Sequence, residues 1–533
     1  MKIDTSNPHL LKAQLGELEF LLIGGISLKN LERLRITLKT TLVKKEVTEK
    51  SFRDTLDLYL DYELQNYSRK VASAFSPHIG TEQLLKALEE LTVQLEDYRF
   101  SKFEESKQEV STLTEEERKE AIAYLSTPDL IKRVNEDIGK SGIIGEEKNR
   151  LIMFLAFVSR LRPSPLHIIS IASSGSGKSH LQEKVSELVA PEDIFENTSL
   201  SDNSIYYFGD LLKNKLLLIE ELTGVKNLLY QLRILQSKKE IKKTTLMRDA
   251  KGNLKPVTLK VCGEVCIAVT TTESNLIEDN ANRCLILHLD ESKEQQQKIM
   301  EHQRKMYAGK INYEEETKIK RLFQNLQKVL EPLGIRNPYA EKLTLPASIA
   351  KPLRANTQYL SFIEVVTFFH QYQRKKKADK DTGEEYIETT PEDIAIANDL
   401  LKDIFLTKSD ELPPLYRNFI EKIKSYLQQH NKKTFFAKEL KEALKENTMK
   451  INRYLRELEK KGFVEVNSKN QKTGYEYEVI NWSDFEELKK DMELLDTNLT
   501  QITDKKEKHN TSITSEHATP KSQQRQATQK KNT

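Results

Sequence analysis

The chain has 533 residues, enough for roughly three or four domains of ~100–200 residues each. It is 38% hydrophobic and 31% charged, which indicates packed cores with heavily solvated surfaces, and a formal net charge of +3 does not by itself indicate a nucleic-acid partner. Three cysteines without a C-x-x-C pair argue against a disulfide framework and a structural zinc site. No basic-then-apolar leader and no apolar run of ~20 residues stand out, so we expect a cytoplasmic protein.

Residues 1–126 form the first predicted region. They begin with LEFLLIGGISLKNLERLRITLKTT, a stretch typical of short strands. Charged segments such as TEQLLKALEELTVQLEDYRF follow, with leucines near the spacing i, i+3, i+4 that predicts helices. We expect an α+β region of mainly helical character, and its residues indicate no catalytic role.

The most specific motif lies in IISIASSGSGKSHLQEKV, from Ile168 to Val185. An apolar strand runs through small residues into an amphipathic helix, whose first N–H groups have no partner within the helix. Such a helix start binds phosphate, and the consensus G-x-x-x-x-G-K-[ST] adds a lysine for the β- and γ-phosphates and a hydroxyl for Mg²⁺. Ala172 replaces the first glycine of this consensus.

This motif predicts that the chain binds a nucleotide with Mg²⁺. A flexible Ser/Gly turn is the alternative, but such a turn does not need a lysine at the start of a helix. The predicted nucleotide-binding residues are Ser174, Gly175, Ser176, Gly177, Lys178 and Ser179, with Ser179 also a ligand of the metal.

The stretch NKLLLIEEL predicts another buried parallel strand, which ends in two carboxylates. Mg²⁺ prefers oxygen ligands, and an attacking water needs a base. We therefore predict that Glu220 contacts the metal and that Glu221 activates water. An acidic pair stabilised by a helix dipole is the alternative, and aspartate is the commoner residue at the position of Glu220.

A hairpin is predicted within IKKTTLMRDAKGNLKPVTLKVCGEV. Two strand-like runs flank the turn at 249–253, where a glycine can take a positive φ. Arg248, Lys251 and Lys255 lie near its tip and could follow the phosphates of a nucleic acid. A solvated surface hairpin without a ligand is the alternative.

Two further site residues follow along the chain. The apolar strand EVCIAVTTT ends in hydroxyls, and we prefer Thr271, with Thr272 next, to orient water or contact the γ-phosphate. Threonine is also simply common in strands. Arg283 stands before another buried strand, where it could reach the γ-phosphate of a neighbouring subunit and stabilise transition-state charge. A surface salt bridge is the alternative for this arginine.

The segment after Pro413-Pro414 reads as helix, short helix, turn, longer helix and two strands, and it resembles a winged helix-turn-helix. Such domains insert their second helix into the major groove, although some bind proteins instead. The predicted DNA-binding residues here are Lys450, Arg453 and Arg456 on the helix, with Lys469 and Lys472 in the wing. From 497 onward the chain is polar and poor in aromatics, which predicts a disordered tail.

The ordered set SGIIGEE, ASSGSGKS, LLLIEE, AVTTT and NANR, followed by LPASIAKPLRANTQYLSFIEVVTFFHQYQRKKK, resembles an AAA+ ATPase. More narrowly, it is similar to the helicase-like region of toprim-type primase-helicases of phages and mobile elements, related in style to minichromosome maintenance helicases. The resemblance covers about 125–377. It implies that Ile144 and Gly145 line the adenine site, that Arg354 is a second sensor, and that the predicted hairpin projects into a ring's channel.

The chain departs from those primase-helicases, because it has neither a zinc-binding cysteine set nor an evident toprim carboxylate cluster. Primase activity is therefore not expected, although a separate primase is a possible partner. We expect an α/β protein with an AAA+ P-loop NTPase core, in which a parallel sheet lies between helices. The expected regions are 1–126, the core at 127–300, a helical lid at 301–410, the winged helix at 411–496, and the tail at 497–533.

Two functions remain open from the sequence. The first is an ATP-hydrolysing motor that acts on DNA as a homo-oligomeric ring, such as a hexamer, in the replication of a mobile element or phage. The second is an ATP-switched DNA-binding initiator or loader that does not unwind DNA processively. The hairpin tip discriminates between them, because a motor needs its charges in the channel and a switch does not.

Overall fold

The protein is described here by a computed structural model. The described residues are 2–5, 7, 10–26, 34–43, 50–108, 113–173, 175–197, 204–207, 209–220, 226–248, 254–272, 282–470 and 474–503. The chain divides into two compact units. The first consists of 1–113 with 203–209 and 242–260, and the second consists of 114–202, 210–241 and 261–533.

The first unit contains a five-stranded antiparallel sheet in sequence order, backed by two helices. Alternate strand residues, such as Phe20 and Leu38, point toward the helices and pack with Val71 and Leu88 into one buried cluster. Its elements are β1 (Lys2–Asp4), β2 (Leu10–Leu15), β3 (Leu18–Ile23), β4 (Arg35–Leu42), β5 (Lys50–Asp57), α1 (Asp61–Phe75) and α2 (Thr81–Gln108).

This sheet corrects the expectation of a mainly helical N-terminal region, since helices occupy only its second half. The next helix, α3 (Glu115–Leu125), belongs to the second unit, so the division lies near 113 and not at 126. A capping box of Thr114 and Glu117 starts α3, and Glu117 also pairs with Arg321 of the second unit at 2.6 Å.

The second unit is built around a parallel sheet of five strands in the order β12-β6-β11-β8-β7. Near-continuous apolar runs fit strands that helices cover on both faces, and all seven residues of β11 are buried. The strands are β6 (Ile168–Ile171), β7 (Ile194–Asn197), β8 (Lys215–Ile219), β11 (Val265–Thr271) and β12 (Leu285–His288).

Helices surround this sheet. Among them α5 is deeply buried, because nine of its twelve residues are buried. The helices up to the lid are α4 (Leu130–Lys140), α5 (Glu147–Val158), α6 (Lys178–Ser186), α7 (Lys226–Lys238), α8 (Lys293–Tyr307), α9 (Tyr313–Lys328), α10 (Pro352–Phe369) and α11 (Pro391–Ser409). A small sheet of β13 (Gly334–Arg336), β14 (Lys377–Ala378) and β15 (Glu385–Glu388) adjoins them.

The predicted hairpin strands are β9 (Glu240–Arg248) and β10 (Leu254–Cys262), which pair in a two-stranded sheet. The hydroxyls of Thr244 and Thr258 lie 3.0 Å apart across this pair. Gly263 closes the hairpin with φ of 149°, and a Cβ there would lie 2.8 Å from the backbone of Lys213. No larger residue fits this close approach without a shift of the backbone.

The C-terminal segment forms a helix, a strand, two helices and two strands around its own buried cluster, which includes Ile423, Phe435 and Leu455. Its three strands pair in the order β16-β18-β17. The elements are α12 (Pro414–Gln429), β16 (Thr434–Phe436), α13 (Ala437–Leu444), α14 (Thr448–Lys460), β17 (Val464–Asn470) and β18 (Gly474–Val479).

After β18 the chain returns to the lid through α15 (Asp484–Met492) and α16 (494–503). The Asn498 amide donates to the Thr344 carbonyl at 2.7 Å, and Ile502 is buried. Residues 497–503 are therefore helical and packed, which corrects the expectation of a disordered tail from 497. The rest of that predicted tail, 504–533, lies outside the described residues. Among the described helices, none combines the length and apolar character that crossing a bilayer requires.

Candidate functional site

The predicted phosphate loop connects β6 to α6, as the sequence indicates. Gly175 and Gly177 have φ of 78° and 92°, a region that glycine adopts without a steric penalty. No atom within 4 Å would meet a Cβ at either position, so the backbone conformation and not space requires glycine. Gly177 is the N-cap of α6, and the loop therefore leads directly to a helix start that can bind phosphate.

One carbonyl, that of Ser173, organises the loop. It accepts from Ser176 Oγ at 2.7 Å and from Lys178 Nζ at 3.4 Å. The Lys178 side chain is buried and makes this weak contact with the loop, which leaves its charge available to a phosphate. Ser179 and Gly175 are exposed, and Ser176 is half-buried.

A carboxylate outside the predicted site residues holds the start of this loop. Glu291 Oε1 accepts from the backbone N–H of Ser173 at 2.6 Å. Glu291 follows β12, the strand that pairs with β6 in parallel register, so both segments emerge at the same edge of the sheet. The hydrogen bond is charge-assisted and fixes the entry of the loop relative to β12.

The segment of Ile144 and Gly145 is fixed from two sides. The Gln295 side-chain amide donates to the Ile144 carbonyl at 2.8 Å, and Gly145 has φ of 66° with Gln295 where a Cβ would stand. From the other side the buried guanidinium of Arg150 donates to the carbonyls of Ile143 and Gly145 at 3.0 and 3.2 Å. These contacts give the predicted adenine segment one backbone conformation.

Glu146 connects the same segment to the end of β12. Its carboxylate accepts from the Asp290 N–H at 2.8 Å and from the Asn149 amide at 2.6 Å, and Asn149 also donates to the His288 carbonyl at 2.9 Å. Burial raises the pKa of Glu146. Together with Glu291, these bonds bring the predicted adenine segment and the phosphate loop to one edge of the sheet.

The acidic strand reaches that edge as well. Glu220 follows β8 with its side chain exposed, and its backbone carbonyl accepts from the hydroxyl of Thr270 on β11. Because β11 lies between β6 and β8, Glu220 is two strand spacings, about 10 Å, from the phosphate-loop strand. That separation leaves room for phosphate and water between the two.

The three threonines at the end of β11 occupy different environments. Thr271 is fully buried at the last position of the strand, where it pairs with Ile171, and Thr272 is exposed just beyond it. Because strand residues alternate between faces, Thr270 and Thr272 share one face and Thr271 has the other. The Thr270–Glu220 bond was not anticipated from the sequence, since a triplet of threonines gives no sign of which one contacts the neighbouring strand.

Arg283 lies at the opposite edge of the sheet. It precedes β12, its guanidinium donates to Ser237 Oγ on α7, and it is close to His167, which precedes β6. Burial, and secondarily the charge of Arg283, lower the pKa of His167 to about 3. A four-residue strand is about 13 Å long, so Arg283 and the phosphate loop of one chain are separated by the length of the sheet.

Arg354 belongs to the same edge as Arg283. It lies in the first turn of α10 and is close to Lys408 of α11, whose pKa is lowered to about 8 by burial and secondarily by the charge of Arg354. Lys408 in turn donates to the Asn282 carbonyl at 3.4 Å and to Gln358 Oε1 at 3.1 Å. Lys408 therefore connects α10, which carries Arg354, to the segment of Arg283.

The remaining predicted site residues fall into two groups. Ser174, Glu221, Lys251 and Lys472 lie outside the described residues, and so do the side chains of Arg248 and Lys255. On α14, Lys450 pairs with Glu446 at 2.9 Å, the Arg453 guanidinium lies 5.2 Å from the centre of the Tyr454 ring, and Arg456 is exposed. Lys469 on β17 lies 5.1 Å from the centre of the Tyr475 ring.

The residues present fit a nucleotide with Mg²⁺. Ser179 lies in the first turn of α6 and Glu220 directly follows β8. Both residues are exposed, and both have side-chain oxygens of the kind Mg²⁺ prefers. Within the described part of the chain, no group of three His, Cys, Asp or Glu side chains could hold a metal by itself. This fits an ion bound by few protein groups together with phosphate oxygens.

Comparison with protein families matches residues 112–331 to the family described as MTBMA_p00010 P-loop domain, which covers less than half of the chain. Comparison with curated proteins gives no match. Among solved structures, a full-length MCM homolog from Methanopyrus kandleri matches with 14% identity and a TM-score of 0.37. The match covers 56% of this chain and 63% of that one, so this chain spans less than two thirds of that relative. The matched family and the parallel sheet identify the core as an α/β P-loop NTPase domain.

Proposed function

We propose that the protein is an ATP-hydrolysing AAA+ motor that acts on DNA, as a helicase in the replication of a mobile element or phage. One observation carries the proposal: the nucleotide-binding groups and the two arginines lie at opposite edges of one sheet. The phosphate loop and Glu220 lie at the carboxyl edge, whereas Arg283 and Arg354 lie at the amino edge. A site of this kind is completed by a neighbouring copy, which favours a ring such as a hexamer.

In this proposal the N–H groups at the start of α6 and the Lys178 ammonium bind the phosphates of ATP. Ser179 and Glu220 would hold Mg²⁺, and the ion would neutralise phosphate charge. Glu221 accepts a proton from the attacking water, and Thr271 orients it. Arg283 of a neighbouring subunit stabilises the charge that develops on the transferred phosphoryl group, with Arg354 beside it.

The DNA contacts are assigned to two separate elements. We propose that α12 to β18 form a winged helix, with α14 as its recognition helix. In support, Ile451, Leu455 and Leu458 are buried on one side of α14, while Arg453 and Arg456 are exposed. The paired strands β9 and β10 support a hairpin whose tip carries Arg248, Lys251 and Lys255 toward single-stranded DNA in the channel.

An ATP-switched initiator or loader is the second candidate, because the C-terminal segment is tied to the lid at both of its ends. Arg417 of α12 forms ion pairs of 2.7 Å with Asp410, just after α11, and with Asp484 of α15. Lys402 of α11 pairs with Asp496 of α16 at 2.8 Å. A DNA-binding segment that is attached to the lid in this way fits a protein whose affinity for duplex DNA depends on the conformation of the lid. A separate primase is a possible partner of either machine.

Two matched sets of substitutions separate the candidates, and each removes three cations. Neutralising Arg248, Lys251 and Lys255 should abolish unwinding and weaken single-strand binding, with ATP binding intact. Neutralising Lys450, Arg453 and Arg456 should weaken duplex binding and leave single-strand-stimulated ATPase in place. An unwinding rate that does not respond to the hairpin set would reject the motor and favour the initiator.

A further inference from the structure

In the first unit, α1 and α2 pack on one face of the five-stranded sheet. Its strands turn alternate residues toward α1 and α2, and the other residues face away from the buried cluster. On that second face Lys12 stands opposite Leu21, Leu21 opposite Lys39, and Lys39 opposite Arg53. These four residues form a row across β2 to β5. We call its three cations, Lys12, Lys39 and Arg53, the basic row.

The cations of the basic row have no acidic partner in the described part of the unit. Among the residues that the structure describes, none of the three makes an ion pair, and Lys12 and Arg53 are exposed while Lys39 is half-buried. Lys39 and Arg53 are directly opposite, an arrangement of like charges that destabilises a sheet. On the helix side of β5, by contrast, Asp54 pairs with Lys70 at 3.0 Å.

Asp4 and Glu19, two carboxylates on this face, do not neutralise the positive charge of the basic row. Asp4 stands opposite Lys12 at the edge strand β1, and Glu19 lies in the next row, opposite Gln14 and Thr41. Neither is opposite Lys39 or Arg53. Like charges that face each other across a sheet destabilise the fold. An anionic partner bound to this face would explain why Lys39 and Arg53 stand opposite each other.

Apolar residues accompany the cations. Leu10 and Ile23 are directly opposite each other one row away from the basic row, and Leu21 lies within it. All three are half-buried and face away from the cluster that the helices cover. The partner therefore combines negative charge with flat or apolar groups, as unpaired bases on a phosphate backbone do. A duplex would present its phosphates and leave these apolar residues without contact.

We propose that this face of the sheet binds single-stranded DNA, with its backbone along the basic row and bases over Leu10, Leu21 and Ile23. Neighbouring strands lie about 4.8 Å apart, so the row is about 14 Å long and can contact more than one phosphate of a strand that crosses the sheet. The choice of DNA over RNA rests on the proposed motor function. None of the residues on this face is among those assigned above to the nucleotide site, the hairpin tip or the winged helix.

The test compares two triple variants of the full-length protein, each of which removes two lysines and one arginine. The basic-row variant is Lys12→Gln, Lys39→Gln and Arg53→Gln. The control variant is Lys50→Gln, Arg69→Gln and Lys86→Gln, which are exposed residues that do not lie on this face. Binding to a fluorescent single-stranded oligonucleotide is measured without ATP over a range of salt concentrations.

We expect the basic-row variant to lose about 2 from the slope of log K against log salt, because each lost phosphate contact removes about 0.7. Its affinity at low salt should fall about tenfold or more, while the control variant stays close to wild type. Lys39→Gln alone should lose about 0.7 from the slope. In urea, the basic-row variant should unfold no earlier than wild type, because facing like charges are gone.

Equal slopes for the two triple variants would overturn the proposal. So would an equal or larger loss on a duplex of the same length, and a larger loss on RNA than on DNA would overturn the choice of DNA. ATPase activity without DNA is measured in parallel. If the wild-type protein hydrolyses no ATP, the proposed motor function is wrong. The comparison of the two triple variants still tests whether the basic row binds single-stranded DNA.

Discussion

Replacing Gly145 by alanine should weaken both the core and its nucleotide binding. The residue has φ of 66°, where a side chain costs about 1–2 kcal/mol. An added Cβ would lie 2.0 Å from Gln295 Oε1, so this amide has to move and loses its bond to the Ile144 carbonyl. That bond contributes about 1 kcal/mol, which gives a total loss of roughly 2–3 kcal/mol in the free energy of unfolding.

A double-mutant cycle tests this reasoning. Gln295→Ala alone should cost about 1 kcal/mol, because it removes the same hydrogen bond. In the double variant the added Cβ meets no Gln295 amide. The free energy of unfolding of the double variant should therefore fall by about 1 kcal/mol less than the sum of the two single-variant losses. Gly309→Ala is the matched control, since Gly309 has φ of 65° and no atom within 4 Å of a Cβ.

Urea unfolding measures these free energies, and titration with a fluorescent ATP analogue measures nucleotide affinity. Gly309→Ala should show the backbone penalty alone, with unchanged affinity. Additive losses in the cycle would refute the proposed clash with Gln295. Unchanged ATP affinity in Gly145→Ala would refute the assignment of Ile144 and Gly145 to the adenine site.

Three further predictions concern the catalytic groups and the buried histidine. Lys178→Ala should abolish ATP binding, whereas Glu221→Gln should bind ATP without turnover; normal hydrolysis by the Glu221→Gln protein would remove the catalytic assignment. Mixing Arg283→Ala subunits with Glu221→Gln subunits should restore part of the ATPase activity, and no recovery in confirmed mixed assemblies would speak against an arginine acting on a neighbour. Burial, and secondarily the charge of Arg283, lower the pKa of His167 from 6.5 to about 3. Below pH 6.5 the unfolded chain therefore binds a proton that the folded chain does not bind. The free energy of unfolding falls as the pH decreases from 6.5 toward 3. Relative to His167→Asn, the wild-type free energy of unfolding should drop by about 2 kcal/mol between pH 7 and pH 5, and parallel profiles would contradict this.

The central sheet and the phosphate loop could be predicted because each has a local signature. An apolar run before Gly177-Lys178-Ser179 predicts a strand and a helix start, and the acidic and threonine-rich runs predict the neighbouring strands. The paired strands of the hairpin were predicted in the same way, from two runs around a glycine-containing turn.

Contacts between distant parts of the chain could not be predicted. Glu291 and Gln295 hold the loop and the adenine segment, yet they read as ordinary residues around a helix start. The connection from α10, which carries Arg354, through Lys408 to Asn282 beside Arg283 has no local signature either. The helix at 494–503 was not predicted because its composition is mostly polar. The few residues that pack on the lid, such as Ile502, do not form a recognisable hydrophobic pattern.

Strand separation on a forked DNA, followed together with ATP hydrolysis, tests the motor most directly. The proposal predicts that the wild-type protein separates the strands with ATP and binds the DNA without separating the strands with a non-hydrolysable analogue. The Lys178→Ala protein should neither hydrolyse ATP nor separate the strands. DNA binding and ATP hydrolysis without any strand separation would contradict the motor and leave the ATP-switched initiator.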